Sequence, residues 1–165
     1  MRRPLSGGDA YKYAALGLKL QGALPAIALT QHAALSTAFA NDVDPSMTFA
    51  QQVYGYGRRG DALLAISTSG NSVNVINAVK TAIAAGIFTI GLTGGAGGNL
   101  KRLCDVCVTV PGGSVPDIQE LHLPVYHALC AMLEAEFFSV YPAHTDAPYR
   151  KDASAEARSR SDRPS

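Results

Sequence analysis

The sequence of 165 residues lacks tryptophan, strong charge of either sign and long hydrophobic runs. Only 16% of its residues are charged, and 14 basic side chains balance 13 acidic ones. A nearly neutral chain generates little long-range attraction to a polyanion, so we expect neither nucleic acid nor an anionic membrane as a partner. The longest apolar runs, such as Ala62 to Ile66 and Ile87 to Leu92, fall far short of the ~20 residues of a transmembrane helix.

Cysteine is scarce as well. Three cysteines cannot all pair, and Cys104 and Cys107 have the CxxC spacing without the second ligand pair of a structural zinc site. We therefore expect reduced thiols, buried on or beside a strand. The first eight residues contain two arginines but no apolar stretch after them, a pattern unlike a secretory signal, and we expect a cytoplasmic protein.

Apolar side chains are also missing from the C-terminal end of the chain. Residues 142–165 include no Leu, Ile, Val, Phe or Met. Such a segment buries too little apolar surface to compensate for the entropy that it would lose on ordering. We predict one folded domain over residues 1–141, followed by a disordered polar tail over residues 142–165.

Within the body, short β-prone apolar runs alternate with helical patterns. The predicted strands are Pro25–Thr30, Ala62–Ser67, Ile87–Thr93 and Asp105–Val110. The predicted helices cover approximately Asp9–Leu20, Ala33–Phe39, Ser46–Tyr56, Ser72–Ala85 and Pro116–Phe138. These strands are mostly apolar on both faces, as parallel strands covered by helices are. The pattern predicts an α/β fold, a three-layer αβα sandwich with a parallel sheet that binds ligands at the carboxyl ends of its strands.

Proline 124 interrupts the last helical pattern. An interior proline removes one hydrogen bond and usually kinks a helix. The pattern therefore fits either one bent helix or a short turn followed by a helix from about Leu123.

The most informative stretch follows the strand Ala62–Ser67. Four hydroxyl residues (Ser67, Thr68, Ser69 and Ser72) surround Gly70 where a helix begins. Hydroxyl and backbone N–H donors at the positive end of a helix dipole suit a phosphate. The loop lacks the lysine that a nucleoside triphosphatase needs, which favours a phosphomonoester. The alternative is a Ser/Thr-rich turn in which Ser72 is only the helix N-cap.

A glycine-rich loop, Gly94 to Gly98, follows the third predicted strand. It lacks the full GxGxxG pattern and does not follow the first strand of a Rossmann unit. We expect no nucleotide cofactor. The loop is interpreted as a tight connection to a turn over Leu100–Leu103, packed beside the phosphate site.

The motifs STSGNS (67–72), IGLTGGAGG (90–98) and IQELHLPVYHALC (118–130) together resemble the sugar isomerase (SIS) domain of the phosphoheptose isomerase family. The resemblance extends from about Pro25 to Phe138 and implies a flavodoxin-like αβα fold. It also implies that Ser67, Thr68, Ser69 and Ser72 bind a sugar phosphate. In addition, Asn41 and Asp42 match a pair that lies near the substrate in the family.

The resemblance implies roles for two residues of the last helix. His127 matches the position of a catalytic acid/base or zinc ligand, and Gln119 matches a second ligand position, so zinc is a candidate cofactor. An aldose–ketose isomerisation needs a positioned base and a group that polarises the carbonyl. The alternative for His127 is a histidine satisfied within a helix interface. We expect His122 to be structural, and His32 and His144 to be solvated.

Gln119 and His127 are eight residues apart, or ~12 Å along a straight helix. Two groups at that distance do not easily ligate one ion. They serve one centre only if they come from different subunits or if the segment bends at Pro124. This favours a site at a subunit interface. The resemblance implies a homotetramer, and a dimer is the alternative.

The N-terminal segment departs from the family, whose corresponding pattern is DAxHFAAEL. Asp9 and Ala10 match it, but Lys12 stands in place of the histidine and Leu16 in place of the glutamate. Lysine is protonated near neutral pH and is no routine zinc ligand, and leucine has no proton to exchange. The sequence also has no match to the strand that precedes this pattern in the family.

Three interpretations follow. The chain is an isomerase with altered chemistry, in which His127 acts with Glu120 or Lys12. Or it is a sugar-phosphate-binding module without catalysis, serving as a sensor or an assembly adaptor. Or Met1 is not the natural start, which would restore the strand but not the residues at positions 12 and 16. Of these, we favour the isomerase.

Overall fold

A computed structural model describes residues 22–138. The chain divides after Ala128 into two compact units, and the last helix continues across this division. The elements in chain order are α1 (Ala33–Asp42), a 3-10 turn (Pro45–Met47), α2 (Thr48–Tyr56), β1 (Ala62–Ser67), α3 (Val73–Ala84), β2 (Phe88–Gly94), α4 (Leu100–Leu103), β3 (Val106–Val110) and α5 (Val115–Phe138). The predicted helix Asp9–Leu20, the departures at Lys12 and Leu16, and the predicted tail with His144 lie outside the described residues.

The three strands form one parallel sheet in the order β1-β2-β3. Ala65 of β1 pairs with Gly91 of β2, which in turn pairs with Cys107 of β3. Helix α3 connects β1 to β2, and the short α4 connects β2 to β3. The predicted α/β class with a parallel sheet is confirmed, and the three predicted strands from Ala62 onward shift by at most one residue at either end.

The predicted strand Pro25–Thr30 is wrong, because this segment is irregular and ends in a turn. A strand needs a neighbour for its backbone hydrogen bonds. The described sheet has the order β1-β2-β3, and the segment pairs with neither of its edge strands. The segment is held in other ways: the carbonyl of Leu29 accepts a 2.8 Å hydrogen bond from Gln52 Nε2, and the Leu29 side chain packs on the core.

Small residues bring α3 close to one face of the sheet. Ala65 of β1 packs with Val79 of α3 and Leu100 of α4, and the latter two are fully buried. On the opposite face of β1, Leu64 and Ile66 are 42% and 47% exposed. The alternation along β1 follows from the period of two in a strand, and the buried face places the carboxyl end of β1 directly before α3.

Several helix boundaries differ from the predicted ones. Helix α1 continues past Phe39 to Asp42, and the exposed His32 caps it by accepting a 3.2 Å hydrogen bond from Leu35 N at its Nδ1. The Ser46–Tyr56 pattern resolves into the 3-10 turn and α2. Of the two arrangements considered around Pro124, the structure has one continuous helix from Val115.

A carboxylate fastens the start of β3 to β2. Asp105 Oδ2 accepts hydrogen bonds from Thr89 N at 2.8 Å and Thr89 Oγ1 at 2.7 Å, and Asp105 N donates to Thr89 Oγ1 at 3.0 Å. Thr89 is fully buried, so these bonds satisfy groups that water does not reach. The hydrogen bonds from Thr89 are the largest cause that holds the pKa of Asp105 below its usual range.

We expect the Asp105→Asn variant to be less stable than the wild type at pH 7, because the amide accepts these hydrogen bonds more weakly than the carboxylate. The lowered pKa contributes stability above the unfolded-state value of ~3.9, and this contribution is lost as the pH falls through the folded-state value. Urea unfolding between pH 3 and pH 7 measures the effect. A stability difference that stays constant below pH ~4 would contradict it.

Candidate functional site

The hydroxyl loop, residues 67–72, lies at the carboxyl end of β1. Ser67 is the last residue of the strand and is buried, whereas Ser69 and Ser72 are exposed. The hydroxyls of Ser67 and Ser72 are 2.9 Å apart, and Gly70 N donates a 3.0 Å hydrogen bond back to Ser67 O. The turn therefore folds back on itself and brings the hydroxyls of Ser67 and Ser72 together at the start of α3.

The start of α3 offers donors to a ligand. Ser72 occupies the N-cap position, but its side chain makes no capping hydrogen bond and contacts the Ser67 hydroxyl instead. Within the described residues, the backbone N–H groups of Val73 and Asn74 have no recorded acceptor. The geometry thus does not fit an N-cap role for the Ser72 side chain and leaves N–H groups at the positive end of a helix dipole.

The glycine-rich loop fixes the shape of the hydroxyl loop. The carbonyl of Thr68 accepts hydrogen bonds from Gly94 N at 3.0 Å and Thr93 Oγ1 at 3.4 Å. Farther along, Leu100 N donates to Gly70 O at 3.0 Å. The loop is a tight connection packed beside residues 67–72, as interpreted from the sequence.

Two basic residues near the hydroxyl loop were not predicted as site residues from the sequence. Lys101 and Arg102 of α4 line an open cleft of about 400 Å³ together with Asn71 of the hydroxyl loop and Asn99. The two asparagines are joined by a 3.0 Å hydrogen bond from Asn99 N to Asn71 Oδ1, and Arg102 donates to the Asn99 side chain. The signal available in the sequence was the position of both cations directly after the glycine-rich loop.

The predicted substrate neighbours Asn41 and Asp42 are exposed in the last turn of α1, rather than after it. Within the described residues, no hydrogen bond joins either side chain to the hydroxyl loop. The amide of Asn77 on α3 donates to the carbonyl and hydroxyl oxygens of Ser46 at 3.2 and 3.3 Å, which joins α3 to the 3-10 turn after α1.

The first turns of α5 lie against the carboxyl end of β2. Gly94 faces Ile118 so closely that a Cβ on Gly94 would be 2.5 and 2.6 Å from Ile118 Cγ1 and Cγ2. Gln119 follows Ile118 in sequence and is exposed. Since Gly94 N also bonds to Thr68 O, both the hydroxyl loop and the start of α5 are fastened to the same end of β2.

The two helical histidines differ in burial. His122 is 4% exposed, and its Nε2 atom has no recorded hydrogen-bond partner in the described residues. His127 is exposed, and its ring contacts that of Tyr126 edge-on, with centroids 5.0 Å apart. The proposed alternative for His127, a histidine satisfied within a helix interface, does not fit this exposed position, whereas His122 is enclosed as a structural histidine is.

The predicted ligands Gln119 and His127 do not fit a zinc site within one chain. They are eight residues apart on one helix, so they project ~80° apart around its axis and ~12 Å along it. Nowhere in residues 22–138 do three His, Cys, Asp or Glu side chains form a group that could hold a metal ion. A zinc site needs at least three protein ligands.

The cysteines of the described residues are unpaired, as predicted, but less buried than predicted. Cys104 and Cys107 are half-buried at the start of β3, and Cys130 is exposed on α5. Burial is the largest cause that raises the pKa of Cys104, with the neighbouring Cys107 second. A thiol with a raised pKa is a weak nucleophile at neutral pH.

No helix in the described part of the chain is both long enough and apolar enough to span a membrane.

Comparison with known proteins shows the family to which the chain belongs. Residues 10–94 match the SIS domain family model. The phosphoheptose isomerase of Akkermansia muciniphila is 37% identical over 140 residues, which cover 81% of this chain and 74% of the relative. The chain belongs to the SIS-domain family, among the phosphoheptose isomerases.

Other members of the phosphoheptose isomerase family agree with this assignment. The enzyme of Rhodospirillum rubrum is 44% identical over 71% of this chain. The solved phosphoheptose isomerase of Neisseria gonorrhoeae superposes with a TM-score of 0.66 at 39% identity, over 79% of this chain and 74% of its own. The SIS fold is thus shown. The chain spans 62% of the length of the R. rubrum relative.

Proposed function

We propose that this SIS-domain protein binds a sugar phosphate at the hydroxyl loop and interconverts its ketose and aldose forms, in keeping with its similarity to proteins named phosphoheptose isomerase. One observation carries the proposal. The Ser72 side chain, placed at the N-cap of α3, lies 2.9 Å from the Ser67 hydroxyl and leaves the helix N-terminus to a ligand. The family relationship supports the choice of a sugar phosphate as that ligand.

The phosphate would accept hydrogen bonds from the hydroxyls of Ser67, Thr68, Ser69 and Ser72 and from the N–H groups that begin α3. Because the loop has no cation, the charge of a phosphate dianion is balanced by the helix dipole and by Lys101 and Arg102 beside the loop. We place Asn41 and Asp42 near the sugar on the family resemblance alone, since no hydrogen bond within the described residues joins their side chains to the loop.

Isomerisation moves a proton between adjacent carbons through an enediol, so one group must remove the proton and return it. We assign this role to His127, because it matches the position of a catalytic acid/base in the family and its side chain is exposed. Glu120 and Lys12 are the candidate second groups. His127 and Gln119 point apart on one helix, so we propose that a second subunit completes the site in a homotetramer or a dimer.

Zinc was a candidate cofactor of this site. The described donors of a single chain do not form a zinc site, so the proposed proton transfer uses only side chains of the protein. The proposal also includes no nucleotide cofactor, because the glycine-rich loop lacks the full GxGxxG pattern.

The second candidate is a sugar-phosphate-binding module without catalysis, acting as a sensor or an assembly adaptor. It is favoured by one observation: no hydrogen bond within the described residues joins Gln119 or His127 to the hydroxyl loop. Both candidates share the phosphate site and differ in the proton transfer, so binding and exchange have to be measured separately.

Binding is tested by thermal shift with sedoheptulose 7-phosphate and a panel of hexose phosphates. We expect at least one of them to stabilise the wild type, by about 2.7 kcal/mol at a ligand concentration 100 times its Kd. The Ser69→Ala, Ser72→Ala double variant should lose most of this stabilisation, because it lacks two phosphate donors. The matched control is Ser36→Ala on α1, which should respond like the wild type. Equal stabilisation of the double variant and the wild type would refute the phosphate site.

A further inference from the structure

The sulfur atoms of Cys104 and Cys107 converge on one point of the sheet. Cys107 of β3 pairs with Gly91 of β2, which has no side chain at this position. A Cβ on Gly91 would lie 2.9 Å from Cys107 Sγ and 3.2 Å from Cys104 Sγ. Both thiols therefore border the same space above the glycine, within reach of a single ion that forms metal–sulfur bonds of about 2.3 Å.

The surroundings of the two thiols decide which kind of ion fits. Asp105 lies between the cysteines, but its Oδ2 already accepts two hydrogen bonds from Thr89. In residues 22–138, no third His, Cys, Asp or Glu joins the thiols in a group that could hold a metal. Zinc requires a fuller ligand set, whereas thiolates select soft ions such as Cu(I).

We propose that Cys104 and Cys107 form a two-thiolate site for a soft monovalent metal ion such as Cu(I), distinct from the hydroxyl loop. Binding breaks two S–H bonds, forms two metal–sulfur bonds and releases two protons to solvent, and no electron is transferred. The half-buried thiols remain accessible to an incoming ion. The bound ion would link Cys104, directly after α4, to β3 and so fasten the connection between β2 and β3.

The test is an anaerobic titration of the reduced full-length chain with Cu(I) in competition with a chromogenic Cu(I) chelator. The reference protein is Cys130→Ser, which removes the exposed cysteine on α5 and keeps the pair. We expect one Cu(I) per chain in this reference. Adding Cys104→Ser or Cys107→Ser should each weaken binding by at least about tenfold, with the thermal midpoint of the metal-free variants confirming that they are folded.

A further variant tests the position of the ion without removing a thiol. Gly91→Ala places a methyl group between the sulfurs, so we expect weaker Cu(I) binding with all cysteines present. Zn(II) is the control ion, and it should bind more weakly than Cu(I). Four results would overturn the proposal. They are Cu(I) affinity unchanged by Cys104→Ser, Cu(I) binding abolished by Cys130→Ser alone, Cu(I) affinity unchanged by Gly91→Ala, and equal affinities for Zn(II) and Cu(I).

Discussion

Replacing Gly70 by alanine should destabilise the protein by about 2–5 kcal/mol and abolish sugar-phosphate binding. Gly70 is buried and has a φ of +65°, a conformation that costs alanine about 1–2 kcal/mol. The added Cβ would also collide with the carbonyl oxygen of Gly97 and lie 2.7 Å from its carbon. Both atoms belong to backbone, so the hydroxyl loop or the glycine-rich loop must move. Urea unfolding and the thermal-shift assay measure the two effects.

Gly86 provides a matched control for this prediction. Its φ is +69°, close to that of Gly70, but an added Cβ would meet nothing within 4 Å. Gly86→Ala should therefore cost only the conformational strain, about 1–2 kcal/mol, and leave sugar-phosphate binding intact. If the two variants were equally stable, the close contact between the loops would contribute nothing, and the described packing of the hydroxyl loop would be refuted.

Local patterns in the sequence predicted the hydroxyl loop and the strand before it. Ala62–Ser67 is the strand that the apolar run predicts, because β2 lies beside it and α3 covers one of its faces. The equally apolar run Pro25–Thr30 does not form a strand, and its backbone pairs with none of the three described strands. An apolar run has a propensity to form a strand, and its tertiary contacts decide whether the strand forms.

The helical rotation of 100° per residue predicts which residues of α5 share a face. His122 lies four residues after Ile118, about 40° away around the axis, and both are buried. His127 lies nine residues after Ile118, about 180° away, and is exposed. The helical period therefore distinguishes the enclosed histidine from the accessible one once Ile118 is known to face the sheet.

The position of Lys101 and Arg102 beside the hydroxyl loop was harder to predict from the sequence. They are about thirty residues from the hydroxyl loop in sequence and approach it only because the glycine-rich loop folds back on residues 67–72. The hydroxyl loop has no cation of its own, and its charge environment depends on tertiary structure. A search for phosphate sites by local motif alone misses cations that a neighbouring loop supplies.

The His127→Gln variant should separate the isomerase from the binding module. If His127 moves the proton, its removal lowers the rate of deuterium exchange from solvent at the carbon beside the sugar-phosphate carbonyl by about 10²–10⁴-fold. Because the His127 side chain is exposed, the free energy of unfolding should stay within about 0.5 kcal/mol of the wild-type value. The affinity for sugar phosphate should stay within about twofold of the wild-type affinity. Exchange followed by NMR and the thermal-shift assay measure the two properties.

His32→Asn is the matched control, because His32 is also exposed and asparagine is a good N-cap for α1. It should exchange protons at the wild-type rate. Equal exchange by His127→Gln would remove this histidine from the reaction and leave Glu120 or Lys12 as the candidate bases. A wild type that binds sugar phosphate but exchanges no proton would establish the module, because the hydroxyl loop alone can hold the phosphate but has no group positioned to move a carbon-bound proton.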